Sequence, residues 1–348
     1  MQGEKQYKTG LDVGSTTAKI VIIDESGQTV FSRYERHNAQ VNDLLSAYFR
    51  EARQELGDIE TSIAVTGSVG MGTAEQLRTE FIQEVVAATR YAQQLYPSAS
   101  ALIDIGGEDA KVVLFQGNHI DLRMNGNCAG GTGAFIDQMA VLLGVDIEEL
   151  SRLALQAEHI HPIAARCGVF SKTDIQNLVS RNVPLGDIAA SIFHAVAVQT
   201  IVTLSRGWTF HPPILLCGGP LTFIPALRKA FADYLHLQES DFILPAGGNL
   251  LPALGCALCA TEEKAVALST LENLISRSTD ITTKNSLPPL FDSETDYDNW
   301  KKEKAHYNWP SAPLVQRIQE AVLGIDSGST TTKIVVTTPD GAILFSHY

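Results

Sequence analysis

Two eight-residue stretches carry the same chemistry: "DVGSTTAK" at 12–19 and "DIGGEDAK" at 104–111. Each sets a carboxylate at a strand end, follows it with a turn of small residues and closes on a lysine. In the first, Gly14 and the N–H and O–H groups of Ser15, Thr16 and Thr17 can surround a phosphate, with Lys19 as counter-charge. In the second, Gly106, Gly107 and Lys111 repeat that logic. Asp12 and Asp104, facing one another, suit Mg²⁺, which keeps most of its water and needs only one or two carboxylates. A third turn, "CGGP" at 217–220, ends another strand with Gly218 and Gly219. A positive φ alone would explain glycines in hairpin turns. It does not explain an Asp before and a Lys after both of them.

The cysteines pose a second question. Cys128 in "NGNCAGGTGAFIDQMA" and Cys167 in "RCGVFSKTDI" each stand just ahead of helical spacing. Ser171 to Asp174 reads as a capping box, which expects a helix start within a turn of Cys167. Helix N-termini lower thiol pKa values and favour anions, so two such ends could hold a negatively charged metal cluster; the alternative is a pair of small buried thiols. A [4Fe–4S] cluster usually takes four thiolates. A second chain across a two-fold axis, or Cys256 and Cys259 of "GCALCATEE", would complete the set. The latter pair lies in an apolar, helical-looking stretch and reads as packing, as does Cys217. His159 and His161 in "EHIHP" read as an exposed loop. "GSVGMG" at 67–72 reads as a cleft loop or a plain turn.

The elements that must position these residues alternate strand groups with helices, which indicates an α/β fold. "GLDVGSTTAKIVIIDESGQTVFSRY" at 10–34 returns as "GIDSGSTTTKIVVTTPDGAILFSHY" at 324–348 with 13 of 25 positions identical, so each is expected to be a three-stranded antiparallel meander. The first copy runs on into a helix at 41–56. The second is expected to open a further, similar module near 323. Strands are expected at 61–67, over 100–115, at 213–219 and near Phe242. Helices are expected around Phe135, Met139, Leu142 and Leu143, and around Ile175, Leu178 and Val179. The polar stretch from about 277 reads as a linker.

Composition narrows the functional classes. The chain has 348 residues, 45% apolar, with a formal charge of −13. That balance argues against a nucleic-acid surface or an anionic membrane as partner. No basic N-terminal segment precedes an apolar run, and no stretch reads as a bilayer span, so a cytoplasmic location is expected. Five cysteines in a long chain without secretory signals argue against a disulfide framework.

There is no G-x-x-x-x-G-K-[ST] P-loop. In their order, "DVGSTTAK", "DIGGEDAK" and "CGGP" resemble the phosphate-1, phosphate-2 and adenosine segments of the actin, heat-shock-chaperone and sugar-kinase ATPase superfamily. That resemblance implies two ribonuclease-H-like lobes with ATP in the cleft: lobe I over 1–97, lobe II over 98–262 with a return to lobe I until about 276, a linker over 277–322 and a further module from 323. "MNGNCAGGTGAFIDQMA" and "RCGVFSKTDI" resemble the signature of the 2-hydroxyacyl-CoA dehydratase activators and benzoyl-CoA reductase ATPase subunits. Members of that group would be homodimers that ligate one shared [4Fe–4S] cluster through two cysteines per chain, here Cys128 and Cys167. They would hydrolyse ATP with Mg²⁺ and pass a low-potential electron from a ferredoxin- or flavodoxin-type donor to a dehydratase- or reductase-type acceptor. The sequence departs from the family's usual residues at Gly126, Asn127, Gly130, Lys172 and Asp174. The alternative reading is a small-molecule kinase of the same superfamily without a cluster.

Overall fold

The computed structural model describes residues 6–117, 119–125, 129–165, 167–261, 265–276, 287–307, 309–313, 320–328 and 331–348. The chain divides into two units, 1–278 and 279–348.

The first unit holds two sheets built on one plan. β1 (Tyr7–Val13), β2 (Thr17–Ile23) and β3 (Thr29–Arg36) form an antiparallel meander; β4 (Glu60–Thr66) joins β1 in parallel and β5 (Glu80–Phe81) joins β4. The second sheet repeats this order. β6 (Ala101–Ile105), β7 (Ala110–Gln116) and β8 (His119–Asn125) form the meander, β9 (Ile214–Cys217) lies parallel to β6, and β10 (Phe242–Ile243) lies parallel to β9. The register places Asp12 opposite Lys19 and Thr66, and Asp104 opposite Lys111 and Cys217. Both "D…K" stretches are therefore one structural device used twice.

Helices cover these sheets because their apolar positions fall on one face. In α1 (Val41–Leu56), the buried Leu45, Tyr48, Phe49 and Ala52 recur at helical spacing and share a core with Leu11, Val13, Ile20 and Ile22 of the first meander. α2 (Gly70–Leu77) and α3 (Glu84–Leu95) follow β4 and β5. In the second lobe α4 (Gly133–Leu143) buries Phe135 and Met139, half-buries Leu142 and Leu143, and ends at Gly144 in the left-handed region. α5 (Ile147–Ala154) starts where the Asp146 carboxylate accepts the Glu149 N–H. α6 (Gly168–Ser180) buries Ile175 and Leu178 but leaves Val179 exposed.

α7 (Leu185–Ser205) corrects the expectation that no stretch is long and apolar enough to span a bilayer. Among the described residues it alone passes that test, and 72% of its most apolar part is buried. It packs in the second lobe's core through Ile188, Ile192, Phe193 and Val196. Asp187, His194 and Gln199 break up the run in the sequence.

After β9 come α8 (Gly219–Phe223), α9 (Pro225–Leu235), β10 and α10 (Leu251–Cys259). α10 packs against α3 and β1, so the chain is back on the first lobe before the expected boundary at 262. β11 (Ala265–Ala267) then pairs with β4, and α11 (Leu268–Ser276) lies on α1.

In the second unit, the stretch read as a linker contains α12 (Glu294–Ala305). Ser293 caps it through the Asp296 N–H, acids occupy its first turn and lysines its last, which complements the helix dipole. β12 (Val322–Ser327), β13 (Thr332–Thr337) and β14 (Ile343–His347) form the antiparallel meander expected from the repeat. Its Lys333–Asp326 pair, at 3.0 Å, copies Lys19–Asp12.

Candidate functional site

A cleft between the two sheets of the first unit is lined from one side by Thr16, Thr17, Lys19 and Glu84, and from the other by Asp104, Gly106, Gly107, Gly218 and Gly219. The two turns touch across it, for a Cβ on Gly107 would collide with the Thr16 hydroxyl. Gly14 closes its own turn by donating its N–H to the Thr17 carbonyl at 2.9 Å, and Gly106 does the same to Asp109 at 2.9 Å. Ser15 lies in the first turn, half-buried.

The charges are buried and paired. Lys19 Nζ lies 2.7 Å from Asp12 Oδ2, and Lys111 Nζ lies 2.7 Å from Glu84 Oε1 and 2.9 Å from Asp109 Oδ2. Burial works against the Lys19 charge, but Asp12, joined by Glu84 and Tyr34, holds the ammonium above its ordinary value. Lys111 is held up in the same way by Glu84, Asp104 and Asp109. Burial, helped by Asp109 and Asp12, raises Asp104. Glu84 is pushed up to about 7 by burial and then by the Asp12 charge. Sequence reasoning missed Glu84, since a single acid opening a helix looks like ordinary dipole compensation. Only the tertiary fold brings it to Lys111.

The residues behind both aspartates are glycines for a definite reason. Gly67 and Gly218 follow β4 and β9 with φ of 98° and 86°, and a Cβ on either would lie 2.5 Å from Oδ1 of Asp12 or Asp104. Gly67 thus belongs to the floor of the Asp12 site, and α2 starts at Gly70 within the stretch read as "GSVGMG". Asp12 Oδ1 is buried and, among the described residues, has no partner. A buried carboxylate oxygen backed by glycine, with a second carboxylate across the cleft, fits a hydrated Mg²⁺.

Of the two cysteines expected to act together, Cys128 lies outside the described residues. Cys167 is half-buried at the N-cap of α6, and its side chain makes no capping hydrogen bond. The expected capping box is corrected: Ser171 sits inside the helix and donates its hydroxyl to the Cys167 and Ala164 carbonyls. Asp174 accepts the Ala164 N–H at 2.9 Å, so both side chains hold the strand of chain entering Cys167. The helix start itself lies against the turn that follows Cys128, with a Cβ on Gly168 3.7 Å from Gly130. A thiol at a helix start packed on a second Gly-rich helix start fits an anionic cluster.

The other cysteines are occupied elsewhere. Cys256 is buried among Ala64, Ala87 and Ala260, and burial raises its thiol well above the ordinary value, with Asp12 adding to the rise. Burial likewise raises Cys259. Cys217 is raised by burial and then by Asp104, and donates to the Ile103 carbonyl at 3.4 Å. Among the described residues no three His, Cys, Asp or Glu side chains are grouped to hold a metal ion. His159 is exposed and His161 half-buried; their N–H groups bond Asp187 and Ser191.

Two contacts bridge the lobes at the rim. Arg36 pairs with Asp137 of α4 at 2.7 Å, and the rings of Tyr34 and Phe223 meet at 5.8 Å. The start of α4 is bonded to the second turn: Gly133 N–H donates to Gly106 at 2.9 Å and Ala134 N–H to Gly107 at 2.7 Å.

Known proteins are similar to this chain in sequence and fold. The chain is 28% identical to the 2-hydroxyisocaproyl-CoA dehydratase activator of Clostridioides difficile over 273 residues, which cover 77% of this chain and 100% of that protein. It is 28% identical to the (R)-2-hydroxyglutaryl-CoA dehydratase activating ATPase of Acidaminococcus fermentans, over 74% of this chain and 98% of that one. Among solved structures, the Acidaminococcus fermentans (R)-2-hydroxyglutaryl-CoA dehydratase component A superposes with a TM-score of 0.64 at 24% identity, over 76% of this chain and 98% of that one. The Clostridium difficile 2-hydroxyisocaproyl-CoA dehydratase activator, solved with bound ADPNP, does so with 0.62 at 26%, over 79% and 99%. The fold is therefore the actin-like ATPase fold that the three turns imply. With the BadF/BadG/BcrA/BcrD ATPase family matching residues 9–260, the span that holds both lobes and the cleft, the chain belongs to that family.

Proposed function

We propose that this chain is an ATPase that uses nucleotide hydrolysis to drive a low-potential electron to a dehydratase- or reductase-type partner, taken from a ferredoxin- or flavodoxin-type donor. Asp12 and Asp104 hold hydrated Mg²⁺. The turns at 14–17 and 106–107 bind phosphates with Lys19 and Lys111, and Gly218 and Gly219 border the nucleoside. Glu84, whose carboxyl burial pushes up to about 7, takes the proton of the attacking water. Cys128 and Cys167 from each of two copies hold one [4Fe–4S] cluster, which when bound supplies one-electron chemistry.

The observation that carries this reading is the pair of bonds from Gly133 and Ala134 to Gly106 and Gly107. Helix α4 begins five residues after Cys128, so displacement of the phosphate-side turn pulls directly on the segment next to that cysteine. Arg36 draws the same helix toward the first lobe. Relatives that activate CoA dehydratases support the choice of partner.

Anaerobically purified protein is expected to be brown, with about two iron and two sulfide atoms per chain for a four-iron cluster shared by two copies. Cys167→Ser should lose the cluster and Cys256→Ser should keep it. Iron-free protein after anaerobic reconstitution would sink the electron-transfer reading.

A further inference from the structure

Among the described residues, Asp12 Oδ1 is one of two neighbouring buried oxygens without a partner on this part of the sheet. Thr66 is its register neighbour on β4, fully buried, and among the described residues its hydroxyl also has no partner. Register partners in a parallel ladder project to the same face about 5 Å apart. The other Asp12 oxygen is held by Lys19. Oδ1 is turned toward the β4 end, as the 2.5 Å approach to a Cβ on Gly67 shows. Leaving either of two such buried oxygens unsatisfied costs about 1–3 kcal/mol, and one donor that reaches both would satisfy the pair. A water carried by a cation is such a donor, with two polarised hydrogens.

The second lobe lacks this pair. There Cys217 stands opposite Asp104, and its thiol is already given to the Ile103 carbonyl. The two aspartates are therefore unequal in what surrounds them.

We propose that Thr66 is a positioning residue for the metal: its hydroxyl and Asp12 Oδ1 each accept one hydrogen of a single water of hydrated Mg²⁺, which seats the cation on the first lobe. This rests on the assignment of Asp12 to the metal.

The test is calorimetric titration of the full chain with ADP, at saturating Mg²⁺ and in EDTA. Thr66→Val is expected to lose about 10- to 100-fold of the affinity that Mg²⁺ adds, with binding in EDTA unchanged. Thr66→Ser should behave as the unaltered protein. Thr66→Cys, which installs the residue of the second lobe, should behave as Thr66→Val, and gives the answer if the valine variant does not fold. Full retention of the Mg²⁺ effect in Thr66→Val and Thr66→Cys, or equal losses with Mg²⁺ and in EDTA, overturns the role of Thr66. Retention of the effect in Asp12→Asn overturns the metal assignment itself, and Thr66 with it.

Discussion

At the scale of residues, the cleft sets the carboxylates of Asp12, Glu84, Asp104 and Asp109 against the ammonium groups of Lys19 and Lys111. Burial first, and then the Asp12 charge, disfavour the ionised form of Glu84 and push its carboxyl up to about 7. A base must be ionised to take a proton, so the raised value places its loss of function on the acid side of neutrality. ATP turnover should fall as pH drops through about 7 along a single-proton curve. In Glu84→Gln that limb should vanish, and turnover should be lower by about 10²- to 10⁴-fold. A steady-state pH profile of both proteins decides it; an unchanged acid limb in the variant removes Glu84 from the chemistry. Asp12→Ala should abolish Mg²⁺-dependent hydrolysis through loss of the metal carboxylate and of the Lys19 counter-charge.

At the scale of elements, α10 is the wedge that brings the site together. It lies against β1 and α3 at once, and can do so because Gly10 and Gly255 leave no side chain in the way. A methyl on Gly255 would collide with the Ala87 carbonyl, backbone that cannot rotate aside. Gly255→Ala should therefore destabilise the protein by about 1–3 kcal/mol in denaturant unfolding, although alanine is the better helix former. A neutral or stabilising result would mean that α10 slides freely. α6 shows the opposite kind of surprise. Its local sequence offers a capping box with Ser171 at the N-cap, yet the N-cap is Cys167, four residues earlier, and Ser171 and Asp174 bond Ala164 instead.

At the scale of the whole molecule, the first unit is two similar lobes joined by rim contacts as well as by chain. The Arg36–Asp137 pair is largely exposed, with side-chain exposures of 58% and 31%, so its energetic share is small. Arg36→Ala should speed ADP release by about 2- to 5-fold, the equivalent of up to about 1 kcal/mol, in a stopped-flow chase with fluorescent ADP. No change in release would show that the Arg36–Asp137 pair does not hold the rim.

The sequence by itself left β5, β8 and β11 unread but made legible the two meanders at either end, the strands at 60–66, 101–116 and 214–217, the two "D…K" turns and the family. These are written in contiguous residues, where turn chemistry and alternation of side chains act over a few positions. It also placed α1 to the residue, since Leu45, Tyr48, Phe49 and Ala52 spell one face. Only the tertiary structure decided that Glu84 meets Lys111, that Thr66 lies beside Asp12, that α7 is a core helix and that α10 belongs with the first lobe. Each of those depends on partners distant in the chain, and a side chain's protonation, burial and free hydrogen-bonding capacity are set by what surrounds it in space.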